Sequence, residues 1–117
     1  TVTGFSVYKD GGSWDVEYPT SGTYNVSVFT HFGAGDFRVP LAPALFLPGG
    51  PFAGISAITV TLKSSSTAPT VIPTPTYEIT DELAGEFTLR FWSGGALTDP
   101  DDDGFSVVVT GYSEYAA

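Results

Sequence analysis

Residues 2–18 read V-T-G-F-S-V-Y-K-D-G-G-S-W-D-V-E-Y. From Ser13 to Tyr18 the chain alternates, with Trp14, Val16 and Tyr18 on one face and Asp15 and Glu17 on the other, the period of a half-buried strand. Val2 to Tyr8 is rich in β-branched and aromatic residues, and Asp10-Gly11-Gly12 separates the two runs at hairpin distance, so antiparallel pairing is expected. The same period returns at Tyr24, Val26, Val28 and Thr30, again at Ile58, Val60 and Leu62, and again at Phe87, Leu89 and Phe91. Ser21-Gly22 precedes the run at Tyr24. Shorter runs lie at Phe37 to Val39 and Thr76 to Thr80, and Phe105 to Tyr112 carries Val107, Val108 and Val109, a pattern consistent with burial on both faces. Only Thr80 to Gly85 resembles a helical start, about one turn long with Thr80 as its cap. About eight short strands punctuated by Gly and Pro predict an all-β fold, a single-domain antiparallel β-sandwich of jelly-roll or immunoglobulin-like type.

Composition narrows the function. A chain of 117 residues is one domain's length, and without cysteine its core must hold by packing, with no thiol chemistry or thiolate metal site. No run approaches the roughly 20 apolar residues of a membrane span, and the first residues lack the basic and apolar regions of a signal peptide. The net charge of −9 is uneven. Residues 1–77 carry four acids against Lys9, Arg38 and Lys63, whereas residues 78–117 carry nine against Arg90 alone. Such a surface repels phosphate backbones and anionic headgroups, which argues against nucleic acid and membrane as partners.

Catalysis has little to build on. His31 is the only histidine, and no G-x-S-x-G elbow offers it a serine. Glu78, Glu82, Glu86 or the pair Asp15 and Glu17 would suit opposed carboxylates, but nothing singles out a pair. No enzymatic activity is expected.

One motif has the spacing of a cation loop. Asp99 to Gly104 reads D-P-D-D-D-G, with Asp99, Asp101 and Asp103 at alternate positions, a glycine at the sharp turn and the Phe105 carbonyl at position seven. Position twelve is Thr110 where a complete loop has a bidentate glutamate, so the motif is at most a calcium half-site; otherwise it is an acidic turn into a strand. No cofactor other than such a calcium ion is expected.

Two loops break the strand pattern. Residues 40–54, P-L-A-P-A-L-F-L-P-G-G-P-F-A-G, carry no charge but five large apolar side chains, Leu41, Leu45, Phe46, Leu47 and Phe52. They either close one end of the sandwich as a lid or dock another subunit. Residues 64–75, S-S-S-T-A-P-T-V-I-P-T-P, suit an extended crossover or an arm that reaches a neighbour. Trp92 shares the polar face of its strand, where a large ring wants a partner: a sugar, a subunit interface with Tyr112 or Tyr115, or the chain's own core if the ring wraps onto it from the strand end. Asn25-Val26-Ser27 matches a glycosylation sequon.

An acidic, cysteine-free, strand-rich chain with an apolar Pro/Gly loop and a Ser/Thr/Pro arm resembles small bacteriophage virion proteins, such as capsid decoration or cement proteins and tail-fibre tip domains. The resemblance implies a structural protein of the virion, a homo-oligomer and specifically a trimer, held to a capsid or tail lattice by protein–protein contacts. The alternative expectation is an extracellular carbohydrate-binding β-sandwich with a structural calcium ion, in which Trp92 and the tyrosines stack on sugar rings.

Overall fold

The computed structural model describes residues 2–18, 25–46, 52–63, 73–100 and 104–112. They form two antiparallel sheets packed as a sandwich, as expected. In chain order the strands are β1 (Val2–Asp10), β2 (Ser13–Glu17), β3 (Thr30–Gly33), β4 (Asp36–Pro40), β5 (Gly54–Leu62), β6 (Thr74–Asp81), β7 (Glu86–Ser93), β8 (Ala96–Leu97) and β9 (Phe105–Tyr112). The first sheet runs β2-β1-β9-β5 and the second β3-β4-β7-β6, with short β8 paired to β7. Ring contact between Trp14 on β2 and His31 on β3, centroids 5.8 Å apart, joins one open side. The Ile55 N–H donates to the Glu82 carbonyl at 3.1 Å on the other side, next to β6.

The first hairpin follows from its sequence. Asp10 pairs with Ser13 across Gly11-Gly12, and both glycines have positive φ (59° and 94°), as a two-residue turn matching the strand twist requires. The inner faces then meet in an aromatic core. Phe37 lies at its centre, with ring centroids at 4.8 Å from His31, 5.1 Å from Trp14, 5.4 Å from Phe105, 5.5 Å from Phe91 and 5.6 Å from Phe29. Phe87, Leu89 and Phe91 are all buried, as their alternation predicts, and so are Val107 and Val109. Each such side chain contributes roughly 1.5–3 kcal/mol by leaving water.

Three expectations are corrected. Val108 is not buried on both faces: it points out of the first sheet and is 41% exposed. The strand expected over Tyr24 to Thr30 begins instead at Thr30; before it, Val26 makes only an isolated bridge to Leu41, and the inward phase moves from Val26 to Phe29 while Val28 is exposed. Asn25 fixes this stretch, since its Nδ2 donates to the Gly4 carbonyl at 2.8 Å, which also commits the sequon nitrogen to the fold. Finally, the segment that resembles a helical turn is the β6–β7 turn. β6 runs through Asp81, whose Oδ1 accepts the N–H groups of Leu83 (3.2 Å) and Ala84 (3.1 Å), so Asp81 and not Thr80 caps the turn. Tyr24 and the Ser21-Gly22 breaker lie outside the described residues.

Candidate functional site

The acidic motif meets the lone histidine. Asp99 follows β8, and its Oδ1 accepts the Gly35 backbone N–H at 2.6 Å and contacts His31 Nε2 at 2.9 Å. Gly35 belongs to the β3–β4 turn, so the carboxylate clasps that turn to the segment leading into β9. The imidazole packs against the rings of Trp14 and Phe37, which also contact each other. An aspartate that orients a histidine is part of a hydrolytic triad, but a nucleophile must then reach the other ring nitrogen. Among the described residues, Asp99 is the only side-chain hydrogen-bond partner of His31. The Trp14 indole N–H beside it is buried and also has no partner among the described residues.

Of the calcium ligands read from the sequence, Asp99 is engaged as above, and Asp101 and Asp103 lie outside the described residues. No group of three or more His, Cys, Asp or Glu side chains among the described residues is arranged to hold a metal ion. The Phe105 ring is core, paired in register with Val7 and Leu62. Gly104 does make the sharp turn, with φ at 78°, but a structural demand explains it: a Cβ there would strike the Val7 carbonyl.

The described parts of the apolar loop, residues 40–46 and 52–54, pack onto the sandwich core. Leu41 and Phe52, read from the sequence as part of either a lid or a dock, are 1% and 2% exposed within the single chain. Leu45 and Phe46 are half-buried against the same core, and the Phe46 and Phe52 rings lie 5.6 Å apart. The backbone of the described residues is tied down as well. Leu41 N–H donates to Gly85, Ala42 N–H to Asn25, Phe52 N–H to Leu45 and Ala53 N–H to Tyr112, each at 3.0 Å or less, around a 3-10 turn at Pro43–Phe46. Leu47 lies outside the described residues.

Trp92 is on the outer face of the second sheet, half-buried, and its indole N–H donates to Thr76 Oγ1 at 2.9 Å. On that face Arg38 and Arg90 flank the buried Asp36, Arg90 also reaches Glu78 at 3.2 Å, and Arg38 stacks on exposed Phe32 at 3.8 Å. Tyr112 stands apart from Trp92, at the end of β9, with its hydroxyl donating to Glu82 Oε2 at 3.4 Å. Desolvation first, and then the Glu82 carboxylate, push the Tyr112 hydroxyl above its ordinary pKa. Tyr115 lies outside the described residues.

The sheet edges differ in a way the sequence does not announce. β2 carries Asp15 and Glu17, β3 is four residues long and bulged, and β6 carries Pro75, Glu78 and Asp81 with a bulge near its end. Charge, proline, shortness and bulges all discourage pairing with another chain. β5, nine residues reading G-I-S-A-I-T-V-T-L, has no charge and no proline. Its β-branched composition is legible in the sequence; that it forms an edge is not.

No protein-family model matches this sequence, and neither curated proteins nor solved structures show significant similarity to the chain.

Proposed function

We propose that the chain is a non-enzymatic structural subunit that works by contact between protein surfaces, as small virion components such as capsid decoration or tail-fibre proteins do. The observation that carries this reading is the β5 edge. Nine uncharged, proline-free residues form one edge of the first sheet, while the edges at β2, β3 and β6 are blunted and β8 is only two residues long. The chemistry of the His31–Asp99 pair points the same way, because its carboxylate is engaged in holding a turn.

Two measurements test it. The neighbouring genes should encode capsid or tail components, and the purified chain should self-associate with rising concentration or co-sediment with particles made from those genes. A chain that remains monomeric at every concentration and binds no such particle overturns the reading.

A further inference from the structure

We infer that the outer edge of β5 pairs with the same edge of a second copy, antiparallel and centred on Thr59, so that two first sheets become one continuous sheet. This rests on the assembly reading above and names its partner.

The available edge is short and defined. Within β5, Ile55 already gives its N–H to the Glu82 carbonyl, which occupies the start of the strand. From Ala57 to Leu62, β9 is the only strand paired with β5 among the described residues. Among the described residues, the side of the sandwich next to it is open. Tyr77 on β6 pairs in register with buried Leu89, yet it is 46% exposed.

The edge is complementary to itself. Residues directly opposite in an antiparallel pair share a face. About a two-fold axis at Thr59, Ile58 faces Val60 of the second copy and Ala57 faces its Thr61. Ile58 is buried and Val60 half-buried on the inner face, whereas Thr59 and Thr61 are exposed on the outer one, so like rows join like rows. No charge within β5 opposes itself. Charge complementarity appears just past the strand. In this antiparallel arrangement Lys63, just past the end of one strand, comes to the bulged start of the other, where the Glu82 carbonyl holds Ile55, so that Lys63 and Glu82 of opposite copies lie at the same end of the pair. Both Lys63 and Glu82 are exposed, and the Lys63 backbone is anchored by its N–H to the Gly104 carbonyl at 3.1 Å. A contact of this kind is isologous and closes at two copies. It therefore differs from a trimer.

The absence of cysteine makes the register directly measurable. In Thr59→Cys the two sulfurs would sit across the axis within disulfide reach, so mild oxidation should give a covalent dimer, while Val28→Cys, also exposed but on the segment before β3, should stay monomeric. Sedimentation velocity should show a reversible dimer of the native chain. Thr59→Lys should weaken it by about tenfold or more, as should Lys63→Glu, and adding Glu82→Lys to Lys63→Glu should restore it. Hydrogen exchange of residues 57–62 should slow with concentration in the native chain and not in Thr59→Lys. A trimer or larger species indifferent to these substitutions overturns the β5 pairing and leaves the assembly reading standing. Protection of residues 57–62 that is independent of concentration, with no covalent dimer from Thr59→Cys, means that another segment of this chain covers the edge and also overturns the pairing. A monomer that binds no particle overturns both.

Discussion

The two open sides of this sandwich solve the same problem differently. Along β2 and β3 the edge residues are charged or few, and the gap between sheets is filled by Trp14, His31 and Phe37 with Asp99 fastened over the β3–β4 turn. Along β5 and β6 the sheets touch at Ile55 and Glu82, Tyr77 is left exposed, and β5 carries neither charge nor proline. One side is completed by the chain itself. The other has no such closure among the described residues, and a bare edge carries information only beside edges that are protected.

The largest effect should come from emptying the closed side. Phe37→Ala removes the ring touched by all its aromatic neighbours and should cost about 3–5 kcal/mol in denaturant unfolding. A cost near that of a surface substitution would show that the corner is not the core. Next comes the clasp. Asp99→Ala leaves the Gly35 N–H and His31 without their acceptor and should cost about 1–2 kcal/mol, while Asp99→Asn, which keeps a carbonyl oxygen there, should lose much less. Equal losses would mean that charge, not the acceptor, matters at this position.

The edges can then be exchanged. Replacing Asp15 and Glu17 together by threonine should make β2 resemble β5 and raise self-association without lowering the unfolding midpoint, read by sedimentation and thermal unfolding. If self-association does not change, charge is not what protects β2. The smallest effect lies at high pH on the open side. Because the Tyr112 hydroxyl titrates above its ordinary value of 10.0 in the fold, the neutral ring's contribution is fully present below pH 10 and is lost as pH rises through the raised value. Tyr112→Phe should flatten that part of the stability profile; an unchanged profile would assign the alkaline loss to other groups.

Much of the fold is legible because burial on one face imposes period two. Trp14 and Val16, Phe87, Leu89 and Phe91, and Ile58, Val60 and Leu62 all point where their alternation says. The period breaks where local bonding overrides it, as at Asn25 to Phe29, where a side-chain amide and an isolated bridge shift the phase. It is also silent about the site. His31 and Asp99 are 68 residues apart, and nothing in either neighbourhood announces the other; strand order alone unites them. The apolar loop is readable as a lid or a dock, and only the burial of Leu41 and Phe52 separates the two. The tetrapeptide Gly-Phe-Ser-Val at Gly4 and Gly104 is a further case. Its two copies become pairing partners, with Ser6 opposite Ser106, Phe5 opposite Val107 and Val7 opposite Phe105.

That pairing of the earliest strand with the latest has a consequence for synthesis. In the first sheet β1 reaches β5 only through β9. As the chain leaves the ribosome, the β1–β2 hairpin and β5 must therefore wait, unjoined, until Phe105 to Tyr112 has emerged. Closure of this kind is non-local and slow, and the waiting pieces expose more bare backbone than the finished sheet does. The nascent chain is most vulnerable to wrong pairing just before its last strand arrives.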